Sequence, residues 1–462
     1  MDRRTREPLP DDGARIDLGA IRACLEGAIP AMMATCAADG TPNVAYISQV
    51  YYVDERHVAL SFQFFNKTRA NILANPFAAV LVMDPVTAGI HRLSLRYLRT
   101  ETGGALFEGM KAQLAGIASY SGMAGVFRLL GADVYEVLAL ECVSPAALVA
   151  PPARQGLLAA LRCSAERLAC CSTLDDLLQT ALGALTGPLG AQHAMVLLVD
   201  AQGQRLYTVA SAGYASSGIG SEIEMGHGVI GVAARERTPV RISHMTHAAS
   251  YSHAVRASML EIEPGLTLET DIPFPGLAAP HSQLAVPVVS SARVLGVLFV
   301  ESLQDLRFGF EDEDLLVALA GQIGATLELL QLQSAAEPAE ATAPAPAPAP
   351  EPAGPPLRMR HYGANDSVFI DEHYLIKGVA GAIFWKLLRE FTGSGRSEFT
   401  NRELRLDPAL GLPDVADNLE TRLVLLQRRL QENSPHVYIE KTGRGRFRLC
   451  VHRPLHLVEI GA

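Results

Sequence analysis

Gln283-Leu284-Ala285-Val286-Pro287-Val288-Val289 and Val294-Leu295-Gly296-Val297-Leu298-Phe299-Val300-Glu301-Ser302 are two valine-rich runs separated only by residues 290–293. Each is strand-sized, and neither approaches the roughly 18 apolar residues of a membrane helix. Together they predict a hairpin in the middle of a sheet. Upstream, further strands are predicted at 194–200, 205–211 and 238–242, behind a helical pattern over 155–182 that carries Leu158, Leu161, Leu168, Leu174, Leu177 and Leu178. Downstream, Phe310-Glu311-Asp312-Glu313-Asp314 opens a helix running to Leu332. Its apolar positions Leu316, Leu319, Ile323, Leu327 and Leu330 recur in steps of three and four, the spacing of a packing stripe. Gly226, Gly228 and Gly231 have the spacing of a dinucleotide-binding turn. No βαβ unit with a downstream acid follows, so that reading is excluded.

This order of helix, hairpin, glycine-led helix, irregular stretch, hairpin and closing helix resembles a GAF domain, over 155–333. The resemblance implies an α/β sensor that holds a small-molecule effector under a lid, with terminal helices at which two copies meet. His244, His247 and His253 lie in that lid. Three histidines so close are metal-ligand chemistry, but no cysteine or carboxylate completes a shell. The expectation is a solvated loop and no metal. The adjacent Cys170 and Cys171 are expected to be small buried hydrophobes.

Residues 15–148 read as strands at 29–36, 43–53, 57–63, 77–83, 92–100 and 134–143, with short helices at 67–75 and around 104–130. Ala38-Asp39-Gly40 marks the first hairpin turn. Strands at short spacing with small helices suggest a closed or split antiparallel barrel. The run from Ser61 through Asn66-Lys67-Thr68-Arg69 to Asn75-Pro76 resembles the pyridoxamine 5′-phosphate oxidase-like split barrels. That family is typically homodimeric with flavin mononucleotide (FMN) at the interface; haem or an empty barrel are the alternatives. A phosphate needs a cation and hydroxyl or backbone donors, best at a helix N-terminus. Lys67 and Thr68, with Asn66, are the candidate phosphate ligands; Phe64, Ser48 and Gln49 are the candidate ring contacts. The bland alternative makes Lys67 and Arg69 solvated helix-start charges and the phenylalanine pair core. The arginine-rich phosphate set of the true oxidases is missing, and no catalytic residue is assigned.

Residues 334–356 hold 8 prolines in 23 positions, largely as Ala-Pro repeats. Such a run forms neither helix nor paired strand and predicts a semi-rigid spacer. Beyond it, 357–460 carries short strands at 367–371 and 374–378 and an apolar-faced helix over 379–391. A capping box, Thr400-x-x-Glu403, then opens a short helix. A longer helix over 415–433 and a glycine-rich basic hairpin over 438–449 follow. The order resembles an OmpR-type winged helix. Leu419, Leu423, Leu426 and Leu430 take the inner face of its third helix. Asn418, Thr421, Arg422, Leu425, Arg428 and Arg429 are predicted to face outward, suited to base edges and phosphates in a major groove. Lys441, Arg444 and Arg446 on the wing are suited to phosphate or minor groove. A protein-interaction winged domain is the alternative.

The 462-residue chain has a net charge of −10, but the balance is uneven. Residues 357–462 hold 16 basic against 13 acidic side chains, and the rest holds 23 against 36. Seven scattered cysteines without a paired motif, a polar N-terminus and no apolar leader predict a cytoplasmic protein without a membrane segment. The combined expectation is a multidomain chain: an antiparallel split β-barrel, an α/β GAF domain, a Pro/Ala linker and a winged helix. It would act as a homodimeric one-component regulator binding double-stranded DNA, with a flavin-dependent oxidoreductase as the alternative.

Overall fold

A computed structural model describes residues 16–26, 29–47, 49–62, 67–120, 129–149, 156–200, 203–243, 274–335, 354–363, 365–410, 419–443 and 445–460, without the side chains of 116–120, 334–335 and 409. Contacts divide the chain into two units, one formed chiefly by its first 150 or so residues and the other by 154–462.

In the first unit, β1 (Ala31–Cys36), β2 (Pro42–Ile47), β3 (Val50–Tyr52) and β4 (His57–Phe62) precede α1 (Lys67–Ala74). Then come β5 (Phe77–Met83), β6 (Ile90–Glu101), α2 (Ala105–Tyr120) and β7 (Gly131–Ser144). The strands form one seven-stranded sheet in the order β2-β1-β5-β6-β7-β4-β3. All its pairings are antiparallel. It is a split-barrel-like sheet. Alternation places Ala31, Met33, Val58, Leu60, Val80, Val82, Leu93, Leu95, Tyr135 and Val137 inside. Phe107, Met110 and Leu114 of α2 cover Ala59 and Ala132 on the other face. The predicted strand 43–53 is in fact two. β2 pairs with β1 and β3 with β4, at opposite ends of the sheet, so the chain must break between them.

The second unit begins with α3 (Leu157–Ala169), α4 (Leu174–Thr186), β8 (His193–Val199), β9 (Arg205–Ala212) and β10 (Glu222–Glu224). It continues with α5 (Gly228–Glu236), β11 (Val240–Ile242), β12 (Ser282–Ser290), β13 (Arg293–Ser302) and α6 (Phe310–Ala335). The antiparallel sheet runs β10-β9-β8-β13-β12-β11. Leu284, Val286, Leu298, Val300, Val196 and Leu198 turn one face toward α3, α4 and α6, and Leu316, Leu319, Ile323 and Leu327 of α6 pack on them. α6 is apolar and long enough to cross a membrane by composition, yet this stripe is buried in the core. Thr173 caps α4 by accepting from the Asp176 amide at 3.2 Å.

The glycine run has a structural explanation. Gly226 and Gly228 have φ of 88° and 61°, and a Cβ on Gly231 would stand 2.3 Å from the Glu224 carbonyl oxygen. The three glycines fit α5 against β10.

The C-terminal part comprises β14 (Leu357–Tyr362), β15 (Ser367–Ile370), β16 (His373–Ile376), α7 (Gly378–Ser394), β17 (Glu398–Thr400) and α8 (Asn401–Arg405). After α9 (Leu419–Asn433) come β18 (Val437–Gly443), β19 (Arg446–Val451) and β20 (Leu455–Ile460). One sheet is ordered β16-β15-β14-β20, with β20 parallel to β14, and a second β17-β19-β18. The predicted capping box at Thr400 and Glu403 is formed in both directions. Ile383, Phe384, Leu387, Leu388, Leu404, Leu419, Leu423, Leu426, Leu430 and Phe447 make a common core.

Candidate functional site

In the barrel, Lys67 is the first residue of α1 and is exposed, at the positive end of the helix dipole. Thr68 corrects the sequence reading. It is buried and its hydroxyl accepts from Asn43 Nδ2 at 2.9 Å, in a polar cluster in which Asn71 Nδ2 donates to Thr35 Oγ1 at 3.1 Å. One residue along the helix is enough rotation, about 100°, to turn the hydroxyl inward while Lys67 stays out. Gln49 is buried at the break between β2 and β3. Its Nε2 donates to Gln113 Oε1 at 3.0 Å, while its own Oε1 has no hydrogen-bond partner among the described residues. Ser48, Phe64 and Asn66 lie outside the described residues.

Arg69, a solvated charge in the bland sequence reading, is corrected by the structure: its side chain is largely buried. Arg69 donates to both oxygens of Asp133, at 2.5 and 2.6 Å, and to Thr100 Oγ1 at 2.7 Å. The guanidinium lies 4.6 Å from the centre of the Phe62 ring and 5.5 Å from that of Tyr97. Burial disfavours its charge, yet the neighbouring Asp133 carboxylate holds its pKa above the ordinary arginine value. Burial first, and the Asp133 charge second, push the Tyr135 phenol up. Arg69 is therefore committed to a carboxylate and is no phosphate ligand. Its partner lies 64 positions away, which no local motif reveals.

A cluster that sequence reading missed sits in the middle domain. Strand register places His193, Glu301 and Gln283 side by side on β8, β13 and β12. They alternate with the residues facing α3, α4 and α6, and so belong to the opposite face, the one bearing α5. Glu301 is almost wholly buried and accepts from the Leu277 amide at 2.8 Å and from Gln283 Nε2 at 3.0 Å. Burial raises its pKa above the ordinary glutamate value despite these hydrogen bonds. The His193 and Tyr214 rings lie 5.2 Å apart beside it, and the Tyr214 phenol is pushed up by burial and by the Glu301 charge. Among the described residues, His193 Nδ1 and Gln283 Oε1 are buried without a hydrogen-bond partner. This is a polar patch in an apolar setting, able to meet a ligand that donates hydrogen bonds. His244, His247 and His253 lie outside the described residues. Among those described, no three metal-ligating side chains come together. Cys170 is exposed at the end of α3 rather than buried, and Cys171 donates through Sγ to the Arg167 carbonyl at 3.4 Å.

The outward stripe of α9 is the largest correction. Thr421, Arg422, Leu425 and Arg428 are all buried. Arg428 donates to Asp175 Oδ1 of α4 and to the Val209 carbonyl of β9, both at 2.5 Å. Arg422 lies 4.9 Å from the centre of the Tyr207 ring. Arg429 donates to the carbonyls of Leu375 and Tyr374 at 3.0 and 3.3 Å, and burial lowers its pKa. The leucine face is inside as expected. The opposite face is covered too, because it meets the middle domain instead of solvent. On the hairpin, Lys441 is half-exposed with Nζ 3.8 Å from Glu420, and Arg446 is partly exposed. Asn418 and Arg444 lie outside the described residues.

Residues 171–328 match the family model described as GAF domain, and residues 18–129 match the model described as pyridoxamine 5′-phosphate oxidase. The chain carries both domains. Neither match reaches the residues beyond 328. Among solved structures, the GAF domain of an Acinetobacter phosphoenolpyruvate-protein phosphotransferase is similar at 21% identity and TM-score 0.31, over 41% of this chain and 100% of that one. A free methionine-R-sulfoxide reductase from Neisseria meningitidis is similar at 19% identity and TM-score 0.30, over 40% and 98%. An FMN-binding protein from Syntrophomonas wolfei is similar at 18% identity and TM-score 0.23, over 28% and 91%. No curated protein matches.

Proposed function

We propose that the chain is a one-component regulator of transcription, homodimeric and cytoplasmic. A GAF domain would bind a small effector, a split barrel would bind FMN, and residues 357–460 would bind double-stranded DNA as a winged helix. The observation that carries the reading is the C-terminal order itself. A capped short helix, α8, leads to α9, and the β18–β19 hairpin pairs back on β17 beside it. That order resembles an OmpR-type domain, with α9 in the place of the groove-reading helix. Lys441 and Arg446, on the β18–β19 hairpin, take the position of a wing that would meet phosphate. Coupled to a sensor domain, it makes an input and an output on one chain.

For FMN, Lys67 fits a phosphate: a cation at a helix N-terminus. Thr68 does not fit, and Arg69 is spent on Asp133. Gln49, with a buried unpaired oxygen, fits a donor on a ring edge. The effector of the GAF domain would meet the Glu301 cluster. Dimerisation through the barrel is supported by Met32, Val44, Tyr46 and Phe77, large apolar side chains left exposed on it. Seven free cysteines suit a reducing cytoplasm.

The oxidoreductase reading is favoured by one observation, the pyridoxamine 5′-phosphate oxidase match over 18–129. Two measurements decide. Binding of the full chain to labelled duplex DNA across a salt series should weaken steeply with salt. Neutralising Lys441 and Arg446 should reduce the salt dependence by about two counterions. Absent DNA binding with a bound flavin that turns over an electron donor would instead favour the enzyme.

A further inference from the structure

We infer that the arginine face of α9 is an internal interaction surface whose partner is the α4–β9–β10 edge of the GAF domain, and that this contact excludes DNA. The inference rests on the DNA-binding reading above and assigns its regulation.

α9 is covered on both sides. Leu419, Leu423, Leu426 and Leu430 lie in its own core, while Val424 joins the core of the GAF domain. Ile219 of the GAF domain reciprocates by joining the C-terminal core. Arg428 bridges Asp175 and the Val209 carbonyl, and Arg422 stacks on Tyr207. Lys377, at the start of α7, reaches Glu222 of β10 at 3.5 Å. A major groove about 12 Å wide admits a bare helix and little else. With Thr421, Arg422, Leu425 and Arg428 buried in protein, α9 cannot enter one.

The contact has the make-up of a reversible one. Beside the apolar contacts of Val424 and Ile219, it is held by charge pairs and a cation–ring contact around a polar cavity of about 220 Å³, lined by Arg205, Tyr207, Glu222, Tyr374, Lys377 and Arg422. Asp175 remains more than half exposed, so water competes for its carboxylate. The edge is also tied to the effector side of the sheet. β10, which carries Glu222, runs directly into α5, and the two pack closely: the Gly226 amide donates to the Gly231 carbonyl at 2.8 Å, and a Cβ on Gly231 would find no room beside the Glu224 carbonyl oxygen. A ligand that moves α5 therefore moves the strand that holds Lys377.

The test uses the full chain and a fluorescein-labelled duplex pool of mixed sequence at low and moderate salt. Asp175→Ala and Tyr207→Ala remove the GAF half of the contact and leave the proposed DNA-binding side chains intact. Each should tighten DNA binding at least threefold, and the pair at least tenfold, as the competent fraction rises. Small-angle scattering should show the double variant larger than wild type. Adding Lys441→Glu and Arg446→Glu should erase the gain. If the double variant loses its circular dichroism, Asp175→Asn should still give part of the gain. Wild type and double variant binding DNA equally would refute the occlusion and leave the DNA reading standing. Expansion with no DNA binding by either would refute the DNA reading, and the occlusion with it. Neither expansion nor tighter binding would overturn the proposed contact.

Discussion

Asp133→Ala is the most informative single change in the barrel. Arg69 and Asp133 are both largely buried, with side-chain exposures of 14% and 9%, and are joined by two short hydrogen bonds. Removing the carboxylate leaves a guanidinium between the Phe62 and Tyr97 rings with Thr100 as its remaining polar contact named above. An uncompensated buried charge of this kind costs about 3–5 kcal/mol. At about 1.4 kcal/mol per factor of ten, amides on β6 and β7 that exchange by global opening of the barrel should exchange roughly 100- to 4,000-fold faster. Native-state hydrogen exchange is the right assay, because Trp385 is the protein's one tryptophan and lies in the C-terminal part, so fluorescence would report the wrong region. Arg69→Met with Asp133→Leu should recover much of the loss, since replacing both partners by apolar groups is often near neutral. If Asp133→Ala changes β7 exchange by less than about fivefold, or if the double variant is as damaged as the single, the pair is not a buried, mutually dependent charge.

Two further outcomes are expected. Lys67→Ala should weaken FMN binding more than tenfold by calorimetry, as a charge-assisted contact worth about 1.5–3 kcal/mol disappears. Thr68→Ala should instead lower barrel stability with little direct effect on phosphate, because its hydroxyl faces Asn43. Burial raises the pKa of Glu301 in the folded state. The protonated form is therefore the one folding favours, and this stability, full below the ordinary glutamate pKa near 4.5, is lost as pH rises through the raised value. Glu301→Gln should flatten that part of the pH–melting profile, and an unchanged profile would remove Glu301 from the account.

The architecture of the first two domains was legible because periodicity and turn chemistry are local. The Val-rich hairpin at 283–302, the leucine stripe of α6 and the Asp39-Gly40 turn each declare themselves within a continuous stretch of 20 residues or fewer. The break between β2 and β3 was not legible, since nothing in 43–53 says that its halves pair with different strands. β14 and β20 were missed for a related reason: each pairs with a strand whose register is set by the other end of the domain. For the sites, residue type was readable but direction was not. Lys67 and Thr68 are adjacent in sequence and point to opposite environments. Glu301 looked like the polar end of a strand until β8 and β12 placed His193 and Gln283 beside it.

The two arginine–aspartate pairs differ in burial, not distance, and on the proposed reading that difference separates a structural contact from a regulatory one. Arg69–Asp133 and Arg428–Asp175 are both 2.5 Å long. In the first, both partners are withdrawn from water, so opening would strand two charges, and the pair behaves as part of the barrel core. In the second, Arg428 is buried only while α9 stays docked, and Asp175 is already solvated over 56% of its side chain. Undocking returns both groups to water rather than stranding them, so the desolvation cost of the bound state is recovered on release. On the proposed reading, a change at β10 would tip this contact, against the apolar burial of Val424 and Ile219. Four leucines fix which face of α9 joins its own core. The arginines on the other face can pair with a carboxylate and a carbonyl oxygen, as they do here, or with phosphates and base edges, because both offer anionic or accepting oxygen to the same planar donors. On the proposed DNA-binding reading, that shared chemistry would make the GAF edge a competitor for DNA at one surface.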